Sequence, residues 1–235
     1  MLMGNRDVTI CLTSFGRWRL LEKTISSLVS YWDGEPPAAF YIHDDSGYVN
    51  QQLIDELDLF LMRHWQIMAD WTFSNNEGQP AAIDKTYQLV QTKYIFHCED
   101  DWEFYNTGFI ADSRSVLETE PKCACVWLRH PSDRNNHTVL PGVKLTSKGV
   151  RYQQMAQRYK GDWHGMTWNP GLRRLSDYLA MGKFTDMCQW RPNDHIIAEK
   201  QYNRKYYEAG YLGMTLCRGF VKHIGHLEST KRLKS

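Results

Sequence analysis

The first hundred residues alternate short apolar runs with amphipathic stretches. Val8 to Leu12 shows no polar alternation, which predicts a strand covered on both faces. It ends at Thr13-Ser14-Phe15-Gly16. Leu21, Ile25, Leu28, Val29 and Trp32 then fall on one helical face, and Asp33-Gly34-Glu35-Pro36-Pro37 stops that helix. Phe40-Tyr41-Ile42 predicts a second strand ending at Asp44-Asp45-Ser46-Gly47, and Leu53, Ile54, Leu57 and Leu61 mark a second helix. Trp71-Thr72-Phe73 predicts a third strand, ending at Asn75-Asn76-Glu77-Gly78. Pro80 opens a helix expected to run to about Gln91, at a position where its missing N–H costs little. Tyr94 to Cys98 is the fourth strand. Such a βαβαβαβ rhythm predicts a parallel sheet with right-handed crossovers, whose ligands bind beyond the carboxyl ends of the strands. The polar clusters at Thr13 to Arg17, Asp44/Asp45, Asn76 to Gly78 and Glu99 to Asp101 all fall on that edge.

The second half is less regular. Cys125 to Leu128 reads as a strand, and Val139 to Thr146 as a hairpin around Pro141-Gly142. A turn-rich stretch from Gly161 to Gly171 leads to a helix ending near Met181. Another helix is expected from Asp194 to Ala209, with Gly210 as its stop, followed by a strand-like run from Leu212 to Phe220. No repeat, low-complexity tract or linker divides the chain, so residues 1–235 are expected to form a single α/β domain with a mostly parallel central sheet flanked by helices.

The fourth strand delivers Glu99-Asp100-Asp101. Three adjacent carboxylates repel one another and need a compensating cation if they lie at the end of a buried strand. Hard oxygen ligands at that density suit Mg²⁺ or Mn²⁺, ions that commonly also bind substrate phosphate oxygens. The competing reading is a solvated acidic turn. Composition narrows the setting. With 235 residues, 9 Trp and 13 Tyr the chain has ample material for a core, and its formal net charge of +1 gives no global field pointing to nucleic acid. The start, Met1-Leu2-Met3 followed by Asn5, Arg6 and Asp7, predicts no secretory signal, and no window has the apolar length of a membrane span. The 6 cysteines show no disulfide or zinc framework, so a reducing, cytoplasmic location is expected.

In this order and spacing the motifs resemble those of the nucleotide-sugar glycosyltransferases of GT-A fold, and most closely glycosyltransferase family 2. Val8 to Leu12 followed by Thr13, Ser14, Phe15, Gly16 and Arg17 resembles the family's first strand and loop. His43-Asp44-Asp45-Ser46-Gly47 resembles its paired aspartates, and Asn76-Glu77-Gly78-Gln79-Pro80-Ala81-Ala82-Ile83-Asp84 its Asn-x-Gly-x-x-Ala-Ala-Arg-Asn element. Glu99-Asp100-Asp101 stands in the place of the metal-binding triplet, Asn193-Asp194 in that of the pair holding the catalytic base, and His223 to Thr230 in that of the terminal His-containing segment. Two departures stand out: Ile83 replaces the family's arginine, and Glu99 lengthens the first carboxylate. The Gln-x-x-Arg-Trp signature of processive polysaccharide synthases is absent, which argues for transfer of a single sugar.

The resemblance implies a metal-dependent, inverting transfer of one sugar from a nucleoside-diphosphate donor, UDP- or GDP-linked, to a hydroxyl of a carbohydrate or glycoconjugate acceptor. Residues 1–103 would form the donor half and 104–235 the acceptor half. Thr13, Ser14, Arg17, Asp44, Asp45, Asn76, Lys85 and Asp100 are the expected nucleotide-binding residues, Lys85 standing in for the missing arginine. Asp101 is the expected metal ligand, with Glu99, His223 and His226 as further candidates. Asp194 is the expected base, with Asp162 and Glu199 as rivals and a plain helix N-cap as its structural alternative. Asp44/Asp45 has an alternative as a β-turn. Trp163, His164 and Asn169 are expected to shape the acceptor pocket, against core packing as their other reading. Two other functions compete. A sugar-nucleotide nucleotidyltransferase normally opens with a Gly-rich basic loop that Thr13 to Arg17 lacks. A catalytically silent binder of sugar or nucleotide is favoured by Ile83 and opposed by the intact acidic triplet. His223-Ile224-Gly225-His226 spells a nucleotidylyl-transferase signature, but too near the end for that domain to follow.

Overall fold

A computed structural model describes residues 5–134, 136–156, 163–188 and 195–225. The first half follows the expected alternation: β1 (Val8–Ser14), α1 (Trp18–Tyr31), β2 (Ala39–Asp44), α2 (Gln51–Trp65), β3 (Asp70–Phe73), α3 (Gln79–Tyr87) and β4 (Tyr94–Glu99). Then come β5 (Trp102–Phe104), α4 (Phe109–Thr119), β6 (Cys123–Trp127), β7 (Lys144–Leu145), β8 (Arg151–Gln154), β9 (Gly171–Arg174), α5 (Leu175–Met181), α6 (Phe184–Met187), α7 (His195–Glu208), β10 (Leu212–Leu216) and β11 (Val221–His223). No helix among the described residues is long and apolar enough to cross a membrane.

The main sheet has the order β3-β2-β1-β4-β9. All of β1 is buried, as its unbroken apolar character requires, and it pairs in parallel with β2 and β4. The chain runs outward from β1 through β2 to β3, then returns to place β4 on the other side of β1. This reversal makes the carboxyl ends of β1 and β4 the switch point of the sheet, where open α/β sheets form their ligand crevice. Two smaller sheets, β6-β10-β8-β7 and the ribbon β11-β5, complete the structure.

Residues from Val8 to Val221 share the larger hydrophobic core, so segments more than 200 residues apart pack around it. Trp32 is its hub, edge-on to Trp65 at 5.4 Å, Phe109 at 5.8 Å and Phe96 at 6.0 Å, ring arrangements favoured by the aromatic quadrupole. A second core joins Ile83, Tyr87 and Ile95 to Trp168, Phe184, Tyr202 and Tyr206, holding α3, α6 and α7 together.

Three local expectations are corrected. The helix from Pro80 ends at Tyr87 rather than Gln91, because Leu89 and Val90 turn back to the Thr86 and Tyr87 carbonyls at 3.2 Å each. The hairpin of residues 139–155 turns at Thr146 to Val150, not at Pro141-Gly142. There the Thr146 hydroxyl accepts from the Val150 N–H at 3.2 Å and from Ser115 at 2.8 Å, a side-chain-driven turn that backbone propensity does not reveal. The turn-rich stretch before α5 ends in a strand, β9, which runs antiparallel to β4; this pairing across some 75 residues has no local signal.

Candidate active site

The loop after β4 is built inward. Asp100 is fully buried, and its carboxylate accepts from Ser14 Oγ at 2.9 Å, the Phe15 N–H at 3.3 Å and Arg17 Nε at 3.1 Å, while Arg17 Nη2 closes on its other oxygen. Arg17 Nη1 also reaches Asp101 Oδ2 at 2.7 Å. The compensating cation of this triplet is therefore Arg17, carried in by the loop after β1. Thr24 on α1 fastens the backbone: its hydroxyl donates to the Asp100 carbonyl at 2.8 Å and accepts from the Trp102 N–H at 3.1 Å.

Pairing of β11 with β5, His223 opposite Trp102, brings residues 221–225 back to this loop. His223 Nε2 lies 3.2 Å from Asp101 Oδ2, and the Ile224 N–H donates to the Asp101 carbonyl at 2.8 Å. The ring of His223 rests edge-on against Trp102 at 5.0 Å. Glu99 points elsewhere, to Gln79 Nε2 and, at 3.3 Å, to Trp102 Nε1. The three carboxylates are thus electrostatically distinct. Burial and the charge of Asp101 push Glu99 up to about 8, against the pull of Arg17. Burial raises Asp100 to about 6 despite Arg17. For Asp101 burial also acts upward, but the bond to His223 and the charge of Arg17 outweigh it and hold the group below the usual carboxylate range.

Whether these residues fit a divalent ion is tested by two features. Asp101 Oδ1 is buried without a hydrogen-bond partner. Beside it, a side chain at Gly225 would place its Cβ against Asp101 Oδ2 and 2.8 Å from His223 Nε2, so only glycine leaves this hollow open. One carboxylate, one imidazole and open space suit Mg²⁺ or Mn²⁺ when phosphate oxygens supply the remaining ligands. Among the described residues no three His, Cys, Asp or Glu side chains converge as a ready-made metal cluster. Asp101 and His223 are the pair brought together, and His226 lies outside the described residues.

The paired aspartates lie beside this loop, both buried. Asp44 accepts from the N–H groups of Gly16 at 2.8 Å and Ser46 at 2.9 Å, and from the Ser46 hydroxyl. Asp45 accepts from the Glu77 N–H at 2.9 Å, the Gly78 N–H at 2.6 Å and Ser74 Oγ at 2.5 Å. Between them they clip together the loops after β1, β2 and β3. Gly78 caps α3 with φ of +95°, a conformation in which its N–H reaches Asp45 and for which glycine is suited. Asn76 is exposed and turns at φ of +57°. Lys85 pairs with Glu77 at 2.7 Å, and Ile83, in place of an arginine, is wholly buried in the second core. Thr13 is buried at the end of β1, opposite Glu99.

Of the expected acceptor residues, Trp163 and His164 are buried. Trp163 lies 3.9 Å from the ring of His137, and His164 stacks on Tyr207 at 4.1 Å. Asn169 is half-buried, its N–H bonded to Thr167 Oγ1 at 3.2 Å. Asp162 and Asp194 lie outside the described residues. Glu199, the other rival base, is on α7, where burial raises it while the Thr167 hydroxyl and the Trp168 backbone pull it down. Sequence reasoning missed Thr24, Gln79, Trp102 and Gly225. Only Gly225 carried a signal, a glycine between two candidate ligand histidines.

No protein-family model and no curated protein matches the chain by sequence. Solved structures do match its fold. The mannosyltransferase PcManGT from Pyrobaculum calidifontis, in complex with GDP-Man and Mn²⁺, superposes with a TM-score of 0.62 at 12% identity, over 91% of this chain and 55% of its own. GalNAc-T7 with UDP, GalNAc and Mn²⁺ gives 0.60 at 12% identity, over 92% and 42%. S. aureus TarS in complex with UDP gives 0.57 at 9% identity, over 91% and 59%. The chain thus spans about half the length of these proteins. Its sheet order, with the acidic loop at the switch point, and these likenesses together identify its fold as the GT-A fold of nucleotide-sugar glycosyltransferases.

Proposed function

We propose that the protein is a divalent-metal-dependent glycosyltransferase, moving one sugar from a UDP- or GDP-linked donor to a hydroxyl of a carbohydrate or glycoconjugate acceptor with inversion. The observation that carries this reading is the return of β11 to the acidic loop, which sets His223 against Asp101 at the switch point across 122 residues of sequence. Asp101 and His223 would hold Mn²⁺ or Mg²⁺, which when bound offsets the charge developing on the diphosphate leaving group.

The chain's own residues have separable tasks. Arg17 and Ser14 fix Asp100, so that the loop presents Asp101 in one orientation. Arg17 stands beside Asp101, and exchange of its bond to Asp101 for one to a donor phosphate would leave Asp101 free to bind metal. Asp44 Oδ2 and Asp45 Oδ2 each accept one protein bond, which leaves a lone pair on each for the N–H edge of a nucleobase. Thr13, Asn76 and Lys85 line the same edge around the nucleotide. Asp194, ahead of α7, would take the acceptor hydroxyl's proton, and Asn169 would bind the acceptor.

A catalytically silent nucleotide binder is the second reading, favoured by Arg17 already neutralising Asp100 and Asp101 and by the buried Ile83. A thermal-shift series with UDP and GDP, each with Mn²⁺ and with EDTA, followed by donor turnover, tests both. Stabilisation that requires Mn²⁺, together with sugar release or transfer, is the expected result. Stabilisation equal in EDTA and Mn²⁺ would remove the metal-dependent reading, and binding without turnover would favour the silent one.

A further inference from the structure

His43, next to the last residue of β2, is 1% exposed, and both of its ring nitrogens are bonded. Nδ1 lies 2.8 Å from Thr72 Oγ1 on β3, and Nε2 lies 2.7 Å from Ser74 Oγ just beyond that strand. Ser74 Oγ in turn donates to Asp45 Oδ1 at 2.5 Å. The chemistry of these groups fixes the direction of the chain. A carboxylate accepts, so the Ser74 hydroxyl gives its proton to Asp45 and must itself accept from the His43 Nε2–H. Burial, and after it the charge of Lys85, lowers the pKa of His43 below the usual histidine value, against the pull of Asp45, Glu77 and Asp44. The ring is therefore neutral at pH 7, with its N–H on Nε2, and its Nδ1 accepts from the Thr72 hydroxyl. Thr72, His43, Ser74 and Asp45 form a relay in which every hydrogen points toward the carboxylate.

This relay decides how Asp45 is held. Its Oδ1 takes the Ser74 hydroxyl and the Glu77 N–H at 2.9 Å, which occupies both lone pairs, while Oδ2 takes the Gly78 N–H at 2.6 Å. The lone pair left open is on Oδ2. Among the described residues Ser74 is the only side chain that donates to Asp45, and the buried ring of His43 sets the direction of its hydroxyl. We propose that His43 is a positioning residue for nucleotide recognition: through Ser74 it sets the rotation of the Asp45 carboxylate and so aims the open Oδ2 lone pair at an N–H on the nucleobase. This rests on the reading of Asp45 as a nucleotide-binding residue and adds to it the side chains that orient the group.

Calorimetric titration of the full chain with UDP and with GDP, and with pyrophosphate as a base-free probe, all in Mn²⁺, tests this. His43→Leu should weaken the preferred nucleoside diphosphate by roughly tenfold, the scale of a lost hydrogen bond to a charged group, and leave pyrophosphate affinity unchanged. The amide of Gln reaches the place of Nε2 and that of Asn only the place of Nδ1, so His43→Gln should keep parent-like affinity while His43→Asn behaves as the Leu variant. Ser74→Ala should match His43→Leu, and the double variant should be no weaker than Ser74→Ala alone, because both changes cut the same chain. Should the histidine variants not fold, Ser74→Ala carries the test. Nucleotide and pyrophosphate affinities that fall together, additive losses in the double variant, or parent-like nucleotide binding by Ser74→Ala would each overturn the proposal and leave His43 a structural residue of β2. Asp45→Asn separates the two levels: parent-like preference between UDP and GDP there would remove the reading of Asp45 and the relay's role with it, whereas a loss there with none in His43→Leu would remove the relay alone.

Discussion

Replacing Arg17 with methionine keeps an unbranched side chain of similar length and removes the cation from the acidic loop. Asp100 is fully buried and loses the fork of Arg17, the Nε bond at 3.1 Å and its Nη2 partner, while Asp101 loses a bond of 2.7 Å. Breaking a buried pair by removing one partner costs about 3–5 kcal/mol, mostly as the penalty of an uncompensated buried charge. Two features keep the value near the lower end. The Arg17 side chain is 16% exposed, so water reaches part of the gap, and Asp100, already raised to about 6, can escape the penalty by taking a proton. We therefore expect a loss of about 3 kcal/mol at pH 7, read from urea denaturation as a lower midpoint with an unchanged slope.

The pH dependence gives the sharper test. Without Arg17 the folded-state pKa of Asp100 rises further. The native variant then binds a proton that the unfolded chain has released, and its stability falls as pH rises toward that pKa. Parent and variant behave alike at this group while Asp100 is protonated in both. The gap between them should therefore widen above about pH 6, where Asp100 ionises in the parent alone. Arg17→Lys, which keeps the charge but not the fork, should fall between the two. A gap under about 1 kcal/mol at pH 7 that does not change with pH would refute the reasoning and reduce Arg17–Asp100 to the standing of a surface pair.

Two further outcomes follow from the same loop. Gly225→Ala puts a methyl group against Asp101 and His223, and should weaken Mn²⁺ binding in the presence of nucleoside diphosphate by roughly tenfold or more while nucleotide affinity in EDTA is unchanged; calorimetric titration with Mn²⁺ reads this, and parent-like affinity would show that the hollow is not the ion's place. Asp194→Asn keeps a side chain able to cap a helix and removes a proton acceptor, so nucleotide and metal affinity should survive while transfer falls by roughly 10²-fold or more; near-parent turnover would show that Asp194 is not the base.

The sequence alone carried the parallel part of the main sheet, β1 to β4. The unbroken apolar runs of Val8 to Leu12 and Tyr94 to Cys98 specify strands buried on both faces, and the helical face of Leu21, Ile25, Leu28 and Val29 supplies the layer that covers them. Because that alternation is local and periodic, it also fixed which polar loops share the carboxyl edge. The chemical state of those loops was not legible in the same way. Whether Asp100 faces a metal, water or Arg17 depends on side chains 83 residues apart, and Asp101 meets His223 only because β11 pairs with β5. The paired aspartates read as base contacts with a β-turn as the alternative, and the fold uses them to clip three loops by backbone N–H groups, a role that depends on loops meeting in space. In the second half, β9 carries no period of its own and is a strand only because β4 offers it an open edge, and Trp163 and His164 are buried only once His137 and Tyr207 cover their rings. Local pattern sets which segments are strands, helices and loops; pairing between distant segments sets which side chain neutralises, bonds or buries which.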